Sequence, residues 1–208
     1  MLRARGTRVN NDRSEAQTIA DGGNEFLDSL PYQKNRKRTS MTAFEISELG
    51  SFMAKLLKTP LFDNFLLVEA TVQTSVTFHI DGQLHPEFFS EDECTEKGLT
   101  DCPCAPFSLV RETCFSMIKG RNTPVSFQFV FQLSPENAAS TLAKSRSGFT
   151  PEDITGMFIN LNYKNRKLTA TTGISYKTFT LEKTLEKEWD TLVEKFFSIN
   201  QVQYTSIV

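Results

Sequence analysis

The stretch that decides the fold is Val125-Ser-Phe-Gln-Phe-Val-Phe-Gln-Leu133, in which every odd position is a large apolar residue and most even positions are polar. A period of two is typical of a β-strand with one buried face. The odd-numbered side chains would share that face, and each contributes roughly 1.5–3 kcal/mol when it is fully buried. The stretch therefore predicts a strand of the core, and it indicates nothing about chemistry.

A second alternating stretch runs from Leu66 to Ile80, with apolar residues at most even positions and polar ones at the odd positions from Glu69. The parity of this pattern never reverses. A two-residue hairpin loop would reverse it, because paired positions then sum to an odd number. The stretch therefore predicts either one long bent strand or two strands joined by a loop of odd length.

Two further alternating runs meet near residue 165, and here the parity does reverse. A two-residue turn at Asn165-Arg166 would pair Tyr163 with Leu168 and place the apolar residues of both runs on one face. The sequence therefore predicts a tight β-hairpin.

Helical periodicity of apolar residues predicts four helices, at about 49–58, 106–119, 135–144 and 181–200. Residues 85–105 are polar, contain prolines and three cysteines, and are expected to form a long loop with at most a short helical turn. Together with a short strand at Ala43–Ile46, this order predicts an α+β fold. We expect a mainly antiparallel sheet of about five strands, with about four helices packed largely on one face.

The chain divides by composition into an arm, a body and a tail. Residues 1–40 hold eight Lys and Arg against five Asp and Glu, whereas the remaining residues hold 15 against 20. We expect residues 1–40 to be a disordered polar extension, residues 41–200 to form a single α+β domain and residues 201–208 to be a C-terminal tail. An alternative is that Met41 is the true start and the first forty residues are upstream sequence.

Composition argues against several classes of protein. No apolar run approaches the roughly 18 residues that span a bilayer, and the N-terminus lacks the apolar segment of a signal peptide. We therefore expect a cytoplasmic chain with reduced thiols and no membrane contact. The acidic body argues against nucleic-acid binding, although the basic cluster Lys34–Arg38 could act as a nucleic-acid arm instead of a solvated charge run.

Several short strings together resemble a known family: Phe65-Leu-Leu-Val-Glu-Ala70, Phe78-His-Ile-Asp-Gly82, Ile118-Lys-Gly120, Thr123-Pro124 and Phe131-Gln-Leu-Ser-Pro-Glu-Asn137. They resemble a family of uncharacterised proteins, a domain of unknown function, from anaerobic Gram-positive bacteria. The resemblance covers about Met41 to Phe197. It implies a small cytoplasmic bacterial domain without an assigned activity, so no functional residue is carried over.

The candidate ligand-binding residues are Glu69, Thr77, His79 and Asp81, which belong to the polar row of the stretch that ends near Ile80. Because side chains two residues apart in a strand point the same way, His79 and Asp81 could share a proton or a metal. The other members of the row are Thr71, Gln73 and Ser75, and the predicted hairpin has a matching row of Asn160, Asn162, Thr169 and Thr171. A solvent-exposed sheet face without any ligand has the same pattern.

A second candidate site is a zinc centre formed by Cys94, Cys102 and Cys104 with His79 or His85. The C-x7-C-x-C spacing does not match paired C-x2-C knuckles or the common Cys–His patterns. We expect these cysteines to be loop thiols, Cys114 to be a core residue, and the protein to have no metal or cofactor.

No enzymatic motif is present: the sequence lacks a glycine-rich phosphate loop, H-E-x-x-H, G-x-S-x-G and the kinase signatures. We therefore assign no catalytic residue. The sequence favours a non-enzymatic binding or regulatory domain that contacts a protein partner or a second copy of itself. The alternative is a hydrolase-like or metal-assisted enzyme with its site around Glu69, His79 and Asp81.

Overall fold

The computed structural model describes residues 42–100 and 102–207, which belong to one compact unit, Ser40–Val208. The described part contains eight β-strands and five α-helices, so the α+β class is confirmed and the expectation of about five strands is wrong. In chain order the elements are β1 (Ala43–Ile46), α1 (Leu49–Lys58), β2 (Phe65–Gln73), β3 (Thr77–Asp81), α2 (Glu91–Glu96), β4 (Ala105–Pro106), α3 (Phe107–Ile118), β5 (Ser126–Leu133), α4 (Pro135–Leu142), β6 (Ile154–Lys164), β7 (Lys167–Tyr176), α5 (Thr184–Ile199) and β8 (Tyr204–Ile207).

The strands form one antiparallel sheet in the order β3-β2-β5-β6-β7-β1-β8, and the two-residue strand β4 also pairs with β2. Strand β5 lies in the interior, between β2 and β6. Its residues Phe127, Phe129 and Phe131 are buried, and they face Tyr163, Leu161 and Ile159 of β6. Val125 lies outside the strand and is 69% exposed, so the predicted apolar row begins two residues later than expected.

Both hairpins follow from the parity of their alternating patterns. Strands β2 and β3 pair around the three-residue loop 74–76, with Gln73 opposite Thr77, so the alternative of two strands and an odd-length loop is confirmed. Strands β6 and β7 meet at Asn165-Arg166, where φ is 54° and 63°. Positive φ at both central residues is the requirement of a type I′ turn. The predicted pairing of Tyr163 with Leu168 is confirmed.

The core lies between one face of the sheet and four helices. The buried residues Phe52 of α1, Cys114 of α3, Leu142 of α4 and Trp189 of α5 belong to the same apolar cluster as the phenylalanines of β5. The indole Nε1 of Trp189 donates a hydrogen bond to the Phe158 carbonyl at 3.0 Å. The predicted core role of Cys114 therefore agrees with the structure, and Trp189 belongs to the same core.

Two segments contain more structure than we expected. The predicted loop 85–105 holds a short 3-10 turn, helix α2 and strand β4, and Ser90 and Glu93 form a capping box at the start of α2. The predicted tail 201–208 contains β8, which pairs with β1 at the sheet edge. Both strands were missed because they are short and exist through pairing with distant segments rather than through a local alternation.

The expectations for residues 1–40, including disorder, the basic arm and the alternative start, lie outside the described residues. In the part of the chain that the structure describes, no helix has the length and apolar character needed to cross a membrane.

Candidate functional site

The predicted ligand-binding residues lie together on the sheet face that points away from the core. Strand pairing places Glu69 opposite Asp81 and Gln73 opposite Thr77, while the intervening β2 residues Ala70 and Val72 are buried in the core. The sequence therefore predicted the shared face correctly. Whether these residues bind a ligand stays a prediction.

His79 makes its contacts with strand β2 and not with Asp81. Its Nδ1 lies 3.2 Å from Thr71 Oγ1 and 3.9 Å from Glu69 Oε1, and its side chain is 59% exposed. The Asp81 carboxylate instead accepts a hydrogen bond from the Gln83 backbone N–H at 3.0 Å. This geometry allows a solvated ion pair when His79 is protonated, and such exposed pairs contribute little. It gives no support to the enzyme alternative.

Two of the three cysteines of the 85–105 segment contribute to a small apolar cluster. Cys94 and Cys102 pack against buried Leu84, Leu99 and Ala105. Burial raises the pKa of the Cys104 thiol, with smaller contributions from the Asp81 and Cys102 charges.

The described residues contain no group of three His, Cys, Asp or Glu side chains placed to hold a metal ion. His85, the second imidazole proposed for zinc, lies with its Nδ1 3.1 Å from Glu87 Oε1 at the surface. The structure therefore does not bring the predicted zinc ligands together.

A different site lies on the helical side of the sheet, in a cavity of about 730 Å³ between α4 and α5, which we name the α4–α5 groove. Its floor is apolar and comes from β2, β5, β6 and the inward stripe of α5: Phe65, Leu133, Ile159, Trp189, Val193 and Phe196. Its rim is polar and comes mainly from the facing sides of the two helices and the loop after α4: Asn137, Ser140, Lys144, Ser145, Lys187 and Glu188.

The charged side chains of the rim differ in the contacts that they make. The Glu188 carboxylate accepts hydrogen bonds from Ser145 Oγ at 2.5 Å and from the Arg146 backbone N–H at 3.1 Å, which ties α5 to the loop after α4. Lys144 and Lys187 are exposed, and neither forms an ion pair with a carboxylate among the described residues. Beside its apolar floor the groove therefore presents two ammonium groups that contact no carboxylate of the described residues directly, although the charge of Lys187 contributes to lowering the pKa of nearby Glu182.

Comparison with known proteins adds one finding. A family model described as a family of unknown function (DUF5721) matches residues 55–205. The chain belongs to this family. A search of curated proteins found no match, and a search of solved structures found none either.

The expectation of a family of unknown function is confirmed, with DUF5721 spanning 151 of the 208 residues. The DUF5721 match includes every residue that lines the α4–α5 groove and also Glu69, Thr77, His79 and Asp81, whereas β1 lies outside it. Both candidate sites are thus parts of the family domain.

The groove of this DUF5721 chain does not follow from local patterns in the sequence, although one signal of it is present. Leu192 falls on the apolar stripe of the last helix with Leu185, Trp189 and Phe196, but it is 41% exposed and lines the groove. A large apolar residue on the stripe with no partner to cover it indicates an incompletely filled face. The periodicity of α5 does not indicate which neighbouring element would fail to cover the Leu192 side chain.

Proposed function

We propose that this DUF5721 chain is a non-enzymatic binding or regulatory domain of the bacterial cytoplasm, and that the α4–α5 groove is its binding site. The volume of the groove, about 730 Å³, carries the proposal, because small-molecule sites range over roughly 300–1,000 Å³ and are mostly apolar with a few polar groups. Burial of apolar ligand surface on this floor would supply the binding free energy.

The polar groups of the groove support binding rather than catalysis. The rim hydroxyls of Thr141 and Thr191 donate to carbonyls of their own helices, at 2.8 Å and 2.9 Å. Histidine and cysteine do not occur among the residues that line the groove. A hydroxyl nucleophile needs an adjacent base to activate it, and the Thr141 and Thr191 hydroxyls lie beside backbone carbonyls instead. The Ser145 hydroxyl does contact a carboxylate, that of Glu188, and this contact joins α5 to the loop after α4.

The intrinsic fluorescence of Trp189 tests the proposal, because this residue is the only tryptophan of the chain and lines the groove. Titration with dodecanol, a neutral apolar probe, should change the emission in a saturable way. Ser140→Phe, which places a ring in the groove, should abolish the change. Ser198→Phe is the matched control, since Ser198 is an exposed serine of α5 outside the groove.

Saturable binding to the wild type and to S198F, together with its loss in S140F, would support the groove as the site. A wild-type protein whose Trp189 emission does not respond would overturn the proposal. A response that survives S140F would place the probe elsewhere and would overturn it as well.

Contact with a second copy of the chain is a second candidate function, favoured by the exposed edge strand β3. This strand ends the sheet order, so its outer backbone groups have no strand partner in the described chain. Phe78 of β3 is 38% exposed, and unprotected edges of this kind pair with other strands. Sedimentation should then show a dimer that Phe78→Lys dissociates and Phe179→Lys, at an exposed loop position, leaves intact. A monomer at all concentrations would refute it.

A further inference from the structure

We infer that the ligand of the α4–α5 groove is an amphipathic anion: an acyl or alkyl chain that lies on the apolar floor, with a carboxylate or phosphate head between Lys144 and Lys187. The inference rests on the proposed function and names the chemical class of the ligand for that same site.

The floor suits a hydrocarbon because it combines rings and branched side chains without a free polar group. Ile159 and Val193 are almost fully buried beneath it, and the rings of Phe65 and Phe196 meet at 5.7 Å between centroids. The one polar atom of the Trp189 side chain is already bonded to the Phe158 carbonyl. A polar group placed at this depth would therefore lose its hydrogen bonds to water without finding a partner.

The rim suits a negative head group. Two lysines and one glutamate are the charged residues that line the groove, a balance of +1. The glutamate, Glu188, is already held by Ser145 and Arg146, whereas the ammonium groups of Lys144 and Lys187 lack an ion-pair partner among the described residues. A cationic head would be repelled by both lysines, and a neutral head would leave them unpaired.

The two lysines belong to different elements, so the positive charge at the rim depends on how the fold brings these elements together. Lys144 follows the end of α4, and Lys187 lies in the first turn of α5. The contact of Glu188 with Ser145 and Arg146 joins the same two regions. An anionic head placed between the lysines would therefore bind where the two walls of the groove are already linked.

Trp189 fluorescence titrations with monomeric dodecanoate, dodecyl phosphate, dodecanol and dodecyltrimethylammonium test the inference. Because exposed charge pairs are individually weak, two lysines together should make dodecanoate bind roughly twofold to thirtyfold tighter than dodecanol. Dodecyltrimethylammonium should bind more weakly than dodecanol. The comparison of dodecanoate with dodecyl phosphate decides whether the natural head is a carboxylate or a phosphate.

The double variant K144Q/K187Q should reduce dodecanoate affinity to that of dodecanol and leave dodecanol affinity unchanged. The matched control is K164Q/K195Q, which removes the same charge from two exposed lysines outside the groove and should retain the anion preference. Equal affinity of the wild type for dodecanoate and dodecanol would overturn the inference while the proposed function stands. Absence of binding by all four probes would overturn both.

Discussion

Among the glycines between residues 42 and 207 that the structure describes, Gly82 is the one at which an added methyl group would meet backbone atoms most closely. A Cβ added to this residue would lie 1.8 Å from the Leu67 carbonyl oxygen and 2.8 Å from that of Val68. Both neighbours are backbone atoms of β2, at the irregularity in its pairing with β5, so no side-chain rotation can relieve the contact. Gly82→Ala must therefore displace a strand or the turn that follows β3.

The cost follows from the bonds that this displacement would break. The Gly82 N–H donates to the Val68 carbonyl at 3.0 Å, and the Gly82 carbonyl accepts from the Ala105 N–H at 2.8 Å. Two backbone hydrogen bonds at about 1 kcal/mol each and about 1–3 kcal/mol for overpacking give a loss of about 3–5 kcal/mol in the free energy of unfolding.

Urea denaturation monitored by circular dichroism measures this loss through linear extrapolation. The control is Gly50→Ala in α1, where an added Cβ has no heavy atom within 4 Å, and alanine should stabilise the helix by about 0.5–1 kcal/mol. If G82A unfolded within about 1 kcal/mol of the wild type, the close approach of the turn to β2 would be refuted as a determinant of stability.

Three further predictions concern polar and titratable groups. Asp190→Ala should lower the free energy of unfolding by about 2–3 kcal/mol, because it leaves the buried Thr172 hydroxyl without the carboxylate to which it donates. Adding Thr172→Val to this variant should recover part of the loss. If the losses of the two single variants, measured by urea denaturation, simply added in the double variant, the contact would be contradicted. Burial raises the pKa of Cys114 from 9.0 to about 12, so above pH 9 the unfolded state loses this proton first and stability falls as pH rises. The free energy of unfolding of the wild type, relative to that of Cys114→Ala, should therefore drop by about 1.4 kcal/mol between pH 8 and pH 10. A difference between the two proteins that does not change with pH would refute the raised pKa of Cys114. His79→Ala should change the free energy of unfolding by less than about 0.5 kcal/mol, since its contacts are solvent-exposed; a loss above about 2 kcal/mol in thermal melts would show that the polar face is structural.

The parts of the fold that the sequence predicted are those whose signal is local. The buried row of β5 and the turn at Asn165-Arg166 follow from alternation within about ten residues, and parity alone set the register of the β6–β7 hairpin. The helices follow in the same way from a period of 3.6. Strand β8 has no comparable pattern, because it exists by pairing with β1, more than 150 residues earlier in the chain.

The two candidate sites also differ in how far the local sequence determines them. The sequence by itself placed Glu69, His79 and Asp81 on one face, since strand geometry decides which side chains point together, but only the tertiary structure directed the Asp81 carboxylate to the Gln83 backbone. The α4–α5 groove was decided entirely by tertiary structure. Helical periodicity determines which stripe of a helix is apolar, whereas the gap between two helices depends on how side chains more than 40 residues apart fill the space over the sheet.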